Sequence, residues 1–156
     1  MPATAPAVLT RWAVRRDTPQ LAAIAAADPF TAARWPHLRR RVEQLSAIGV
    51  VAESRHDGAV LGYAVYRLLP SRVRLLGLAV RPDRWGCGVG RALAAFVAER
   101  GVQCRRRGVV ATVPETETVA LCFLRACGFR PVVILRGEPG DVVMEWTGIN
   151  TGGERC

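Results

Sequence analysis

The chain of 156 residues contains no lysine: all 22 of its basic residues are arginine. A Walker-type phosphate loop needs its lysine, and Schiff-base and pyridoxal chemistry need an amine nucleophile, so both are excluded. Histidine is scarce too, with only His37 and His56, and neither sits in a nucleophile motif that would build a Ser/His/acid triad. The five cysteines (Cys87, Cys104, Cys122, Cys127 and Cys156) are odd in number, and no two form a CxxC pair. That spacing gives neither a disulfide framework nor a zinc site. The four internal cysteines read as small hydrophobes in a reducing compartment. No apolar run approaches the roughly 18 residues that a membrane helix needs. The opening MPATAPAVLTRWAVRR also lacks the charged-then-apolar layout of an export signal. The expectation is a soluble, cytoplasmic protein.

Half of the residues are apolar, and a domain of this length typically buries about 70% of its unfolded surface. One domain over residues 1–147 is expected, with a flexible polar tail over 148–156. The 22 basic and 13 acidic residues leave a net charge of +9. That charge suits a polyanion, whether nucleic acid, a ribosome surface or a phosphorylated cofactor. It is equally what an arginine-heavy composition produces without any dedicated patch.

The hydrophobic pattern predicts a first strand over Val8 to Val14. A helix follows, with Asp17 as cap and Pro19 in its first turn. Pro29 and Pro36 interrupt the next stretch. A second helix is predicted from Leu38 to Ile48, with Leu38, Val42, Leu45 and Ile48 on one face. Val50–Glu53, the turn His56-Asp57-Gly58 and Val60–Leu69 read as strand, turn, strand. Val73 to Val80 is a third, strongly apolar strand. A helix from about Gly90 toward Arg107 is predicted to stop at Gly108. Val109–Val113 is a short strand, Thr118–Cys127 a helix closed by Gly128, and Val132–Leu135 with Val142–Trp146 a final strand pair. This order describes an α/β fold with a single mixed central sheet flanked by helices.

The informative segment is LLGLAVRPDRWGCGVGRAL, Leu75 to Leu93. A buried strand runs into a turn bearing Gly86, Gly88 and Gly90, and a helix starts at once. Glycines let the backbone approach a ligand, and converging amides plus a helix N-terminus make an anion cradle suited to a pyrophosphate. Arg84 and Arg91 add positive charge. A dinucleotide fingerprint fits poorly, because the third glycine comes one residue early and the motif lies mid-chain. A tight turn without a ligand needs neither three glycines nor two arginines.

The segment resembles the acetyl-CoA-binding motif of the GNAT superfamily of N-acetyltransferases, whose pattern is Arg/Gln-x-x-Gly-x-Gly/Ala between a strand and a helix. Here Trp85-Gly86-Cys87-Gly88-Val89-Gly90 occupies that place. Leu78-Ala79-Val80 stands where the family's strand offers backbone groups to the pantetheine arm. Ala120, Leu121, Phe123, Leu124 and Gly128-Phe129 match the family's helix ending in Gly-Phe, and Phe123 joins the implied cofactor residues. Asp28-Pro29-Phe30, Trp35-Pro36 and FLRACGFRPVVILRG are most similar to the ribosomal-protein-alanine N-acetyltransferase group. The resemblance implies a GNAT fold, acetyl-CoA as cosubstrate, direct transfer to a primary amine, and no metal.

Departures from the family pattern bear on the chemistry. Trp85 takes the leading Arg/Gln position, so backbone amides and Arg84 must carry phosphate binding. The group's acidic base falls at Thr112, whose hydroxyl is too weak to accept an ammonium proton and could only orient water. The family's tyrosine acid falls at Leu124, and its cofactor-holding asparagine at Glu117. Glu115, just after Pro114, is the nearest carboxylate that could take a proton through water; Glu117 is a second, and Tyr66 is the one nearby phenol. A backbone N–H around Leu78 would hold charge developing on the thioester oxygen. Orientation of two reactants alone contributes ~7–11 kcal/mol, so a missing base need not abolish transfer.

Arg105-Arg106-Arg107 reads as cations at a helix C-terminus. Arg39-Arg40-Arg41 reads as a solvated helix face, or alternatively as a wall of the acceptor entrance. The tryptophans do not interleave with basic residues as in single-strand binders. Acetylation of a peptide or protein N-terminus is the expected function. A small-molecule amine acceptor, or a non-catalytic acyl-CoA-binding domain, is the alternative. Neither nucleic acid nor membrane is an expected partner, and monomer and homodimer are both open.

Overall fold

The computed structural model describes residues 8–137 and 140–147; the tail expected over 148–156 lies outside them. Among the described residues, seven strands, β1 (Val8–Trp12), β2 (Ile48–Ser54), β3 (Val60–Leu68), β4 (Val73–Val80), β5 (Val109–Pro114), β6 (Arg130–Leu135) and β7 (Asp141–Trp146), accompany four helices. These are α1 (Thr18–Ala26), α2 (Pro29–Glu43), α3 (Val89–Gln103) and α4 (Thr118–Ala126). The strands form one sheet in the order β1-β2-β3-β4-β5-β7-β6. It is mixed: β4 and β5 pair in parallel over Val73↔Val109 to Leu75↔Ala111, while β1–β2, β2–β3, β5–β7 and β6–β7 are antiparallel. The expected α/β class and element order are both present. The chain divides into two compact units, one running to Arg67 and including Leu76–Phe96, the other comprising Leu68–Leu75 and everything from Val97.

In the first unit, Leu21, Ile24 and Ala25 give α1 an apolar stripe at helical spacing. They pack with Leu38 of α2, Val51 of β2, Val60, Tyr63 and Val65 of β3, and Ala79 of β4. Strand β1 is shorter than expected, because Val14 already leads into a short 3-10 turn at Arg15–Asp17. Asp17 precedes α1 as expected, but its carboxylate does not cap the helix. It turns back to accept from the Val14 N–H at 2.8 Å and from the Arg11 guanidinium at 2.8 and 2.9 Å. Arg11 in turn donates to Glu53 at 2.7 Å. Asp17 is buried, and the Arg11 hydrogen bonds hold its carboxyl below the usual carboxylate range against the opposing effect of burial.

The second helix differs most from expectation. It begins at Pro29, with Asp28 accepting from the Thr31 N–H at 3.2 Å, and contains Pro36 in its interior. An interior proline costs ~3 kcal/mol. The packing of Trp35, Leu38 and Val42 on the core offsets that cost. The helix stops early because Leu45 adopts a left-handed φ of 57°. The Ser46 and Ala47 amides fold back onto the Arg41 carbonyl. Leu45 is therefore exposed rather than facing the core, and Ile48 opens β2.

In the second unit, Val109, Ala111 and Val113 of β5 alternate inward with Leu124, Phe129 and Met144 also buried. Helix α3 ends at Gln103, and the left-handed residue beyond it is Arg105 (φ 58°), not Gly108. Gly108 is small for another reason: a Cβ there would collide with the Trp146 carbonyl oxygen. The arginine triplet is accordingly a connector. Arg106 donates to the Leu69 carbonyl at 2.6 Å and to the Cys104 carbonyl at 2.6 Å. Gly128 (φ 94°) closes α4 as expected. The four internal cysteines are not core residues: Cys87 and Cys122 are exposed, and Cys104 and Cys127 are half-buried. The inward positions of α3 and α4 are taken by Leu93, Val97 and Leu124 instead.

Candidate functional site

The connection from β4 to α3, within the first unit, is built as an anion cradle. At the end of β4, Ala79 is buried while Leu78 and Val80 are half-buried. The Arg81 N–H donates to the Leu61 carbonyl at 2.8 Å and ties the strand's exit to β3. A 3-10 turn over Pro82–Arg84 follows, with Arg81 and Asp83 paired at 2.6 Å. Gly86 (φ 78°) and Gly88 (φ 86°) are both left-handed, the conformation that favours glycine. No heavy atom lies within 4 Å of a Cβ built at Gly86, so conformation rather than space requires glycine there.

The hydrogen bonds show which amides the loop leaves over. The Cys87 N–H is engaged with the Arg84 carbonyl at 3.2 Å, and the Ala92 N–H reaches the Gly88 carbonyl at 3.0 Å. Gly88 thus stands just before the helix. The amides of Val89, Gly90 and Arg91 lie in the first turn, where no intrahelical acceptor exists. With the exposed side chains of Arg84 and Arg91 beside them, these groups suit a pyrophosphate. Trp85 brings no charge. Its indole Nε1–H donates to the Val80 carbonyl at 2.8 Å, and the ring stays 58% exposed, a flat apolar face pinned to the end of β4.

One residue that positions this loop was not singled out from the sequence. A Cβ at Gly62 of β3 would lie 2.8 Å from the Ala79 carbonyl oxygen, 3.1 Å from Leu93 Cδ1 and 3.3 Å from Val89 Cγ1. Gly62 therefore lets the first turns of α3 sit hard against the sheet. The signal was a glycine inside a strand pattern, which marks close approach of another segment.

Apart from Tyr66, which lies in the first unit, the candidate acid–base residues belong to the second unit. Thr112 lies on β5 opposite Val143, half-buried on the face away from Ala111 and Val113. Glu115 donates its N–H to the Gly140 carbonyl at 2.8 Å, and its otherwise exposed carboxylate accepts weakly from the Gly140 N–H at 3.4 Å. Glu117 occupies the position before α4, with no hydrogen bond from its side chain to the helix. Phe123 is half-buried on α4, and Leu124 is in the core. Tyr66 is fully buried on β3, so it is a core residue and not a phenol facing an open cleft.

The first unit also holds an apolar cavity of about 180 Å³, lined by Leu21, Trp35, Val42, Tyr63 and Val65 with Arg39 at its edge. Arg39 pairs with Glu43 at 2.9 Å on the exposed side of α2, consistent with the solvated-face reading of Arg39-Arg40-Arg41. Burial pushes the Tyr63 phenol up to about 12. Among the described residues there is no group of three or more side chains able to hold a metal ion. No helix among them is long and apolar enough to cross a membrane.

Comparison with known proteins gives a family match and structural likenesses. Residues 12–129 match the family model described as the acetyltransferase (GNAT) family. A structure from Desulfovibrio desulfuricans, described as an acetyltransferase of the GNAT family, superposes with a TM-score of 0.77 at 21% identity, covering 92% of this chain and all of that one. The PaiA N-acetyltransferase from Thermoplasma acidophilum, solved with coenzyme A, gives 0.71 at 16% identity over 90% and 98% of the two chains. The ribosomal-protein-alanine N-acetyltransferase from Brucella melitensis gives 0.65 at 23% identity over 89% and 99%. No curated protein matches the sequence significantly.

Proposed function

The chain belongs to the GNAT acetyltransferase family, and from that premise we propose that it transfers the acetyl group of acetyl-CoA to a primary amine. The observation that carries this reading is the loop from Val80 to Arg91. Two left-handed glycines, first-turn amides of α3 and two exposed arginines suit the negative charge of a pyrophosphate. Gly86, Cys87, Gly88, Val89 and Gly90 would hold it, with Arg84 and Arg91 neutralising charge and Trp85 covering the start of the loop. The backbone groups of Leu78, Ala79 and Val80 would carry the pantetheine arm, and Phe123 would contact the cofactor. Acetyl-CoA supplies an activated acyl group, so the protein needs to orient an amine and take its proton. Glu115 is the proposed proton acceptor, through water. Thr112 orients that water, and Glu117 is the second carboxylate.

The favoured acceptor is a peptide or protein N-terminus, the type named for the Brucella melitensis structure. The charge of +9 opposes encounter with a basic ribosomal tail. Negative charge at Asp28, Glu115 and Glu117 would offset that repulsion. The proposed compartment is the cytoplasm. A second reading, a non-catalytic acyl-CoA-binding domain, is favoured by one observation: Leu124 stands in the core where the family pattern places a tyrosine, and offers no proton to a leaving thiolate.

Incubation with acetyl-CoA and separate panels of N-terminal peptides and small amines, read by mass spectrometry, tests both readings. Acetylated peptide α-amines are the expected product. Acetylation confined to small amines would move the acceptor assignment. Ligand binding without any product would leave the non-catalytic reading in place.

A further inference from the structure

The apolar cavity of about 180 Å³ in the first unit lies where β1 runs into α1 and where α2 ends. None of its lining residues belongs to the loop from Val80 to Arg91. Gly62 of β3 faces Val89 and Leu93 of α3. Successive strand residues point to opposite faces, so Tyr63 and the cavity occupy the other face of the sheet. An apolar cavity of about 150 Å³ is large enough to hold benzene, and this one has room for a single aromatic ring. Trp35 and Val42 give it apolar walls. The Trp35 ring already meets the Tyr63 ring at 5.3 Å with a tilt of 56°, and a further ring can add offset or edge contacts to such a pair.

The polar groups at the cavity select the chemistry of what it takes. Tyr63 is 1% exposed, yet its hydroxyl makes no hydrogen bond to a described residue. Its raised pKa has burial as its cause, with no hydrogen bond contributing. Buried side-chain hydroxyls normally have a partner, and a cavity occupant can supply one. Glu43, the one carboxylate of the lining, is taken by Arg39 at 2.9 Å. Arg15, exposed at the cavity, has no such partner among the described residues. The side chains left over, Arg15, Thr18 and Tyr63, can all donate, and Arg15 adds an uncompensated positive charge. We propose that this cavity binds a small aromatic carboxylate, its ring against Trp35 and Val42 and its carboxylate accepting from the Tyr63 hydroxyl and the Arg15 guanidinium. Such a ligand has no amine to acetylate, so the site stands apart from acetyl transfer.

Titration of the full chain with phenylacetate, followed by two-dimensional amide NMR, tests this directly. A dissociation constant on the order of 0.1 mM is expected for a ligand of this size. The resonances that move should be those of Arg15, Thr18, Val42 and Tyr63, not those of the Val80–Arg91 loop. Tyr63→Phe and Arg15→Gln should each weaken binding by about 10-fold. No binding at about 10 mM phenylacetate overturns the proposal, and so do shifts confined to the loop. An affinity unchanged in either folded variant likewise overturns it. Arg15 is exposed, so its variant decides if Tyr63→Phe does not fold. Equal or tighter binding of phenethylamine would assign the cavity to a cation and overturn the choice of a carboxylate.

Discussion

Replacing Gly62 with alanine perturbs the support of the cofactor loop without touching the loop. The new Cβ would sit 2.8 Å from the Ala79 carbonyl oxygen, a backbone atom that moves only if β4 moves. Leu93 Cδ1 at 3.1 Å and Val89 Cγ1 at 3.3 Å must each give by a few tenths of an ångström as well. Overpacking of this kind costs about 1–3 kcal/mol. Reduced freedom of the unfolded chain returns about 0.4–1 kcal/mol. A net loss of about 1–2 kcal/mol should lower the melting temperature by roughly 2–8 °C in a chain of this size. Because Val89 carries a first-turn amide, acetyl-CoA affinity should fall as well. Thermal unfolding followed by circular dichroism, with and without the ligand, reads both effects. Gly101→Ala is the control: its Cβ meets only Val73 Cγ2 at 3.1 Å, and alanine gains about 1 kcal/mol of helix propensity. That variant should melt at or above the parent temperature. A Gly62→Ala protein that melts no lower than the parent, with unchanged affinity, would refute the close-packing argument.

Three further outcomes are expected. Glu115→Gln should lower kcat by about 10²-fold with little change in KM for acetyl-CoA; full activity there combined with its loss in Glu117→Gln would transfer the role to Glu117. Asp17→Asn should destabilise the fold by about 1–2 kcal/mol at neutral pH, because it removes one of the two carboxylates that Arg11 pairs with and leaves Glu53 as the other. The depressed Asp17 carboxyl stabilises the fold above the ordinary carboxylate pKa of about 4 and loses that contribution as pH falls through its lower folded value. The variant's denaturant midpoint should therefore be flatter than the parent's in acid. Tyr63 works at the other limit. Its phenol resists ionisation until about 12, against 10.0 when unfolded, so stability is full below pH 10 and declines as pH rises toward 12. Tyr63→Phe should flatten that alkaline limb, and an identical alkaline slope in both proteins would contradict the burial of Tyr63.

Much of the fold was legible because two-residue alternation and glycine punctuation are local signals. The Val73–Val80 strand was placed to the residue, and the glycine loop was visible as a strand, a turn and a helix start. Misreadings arose where a distant partner overrode a local rule. Pro36 looked like a helix breaker, but core packing by its neighbours Trp35 and Leu38 carries the helix through. Leu45 and Arg105 are not residues that sequence marks for a left-handed turn, yet they end α2 and lie just beyond α3. Tyr66 looked available as a phenol, and only three-dimensional packing shows that it is buried. The site was legible to the same degree: the cradle is contiguous in sequence, whereas Gly62 acts on it from another strand.

The central claim, that the loop from Val80 to Arg91 is an acetyl-CoA site, is tested most directly by thermal unfolding with acetyl-CoA, using NAD and ATP as controls. A ligand present at 100 times its dissociation constant adds about 2.7 kcal/mol, which should raise the midpoint by roughly 5–10 °C in a domain of this size. A rise with acetyl-CoA and none with the controls is the expected result. A cooperative melt that acetyl-CoA leaves unmoved would contradict it.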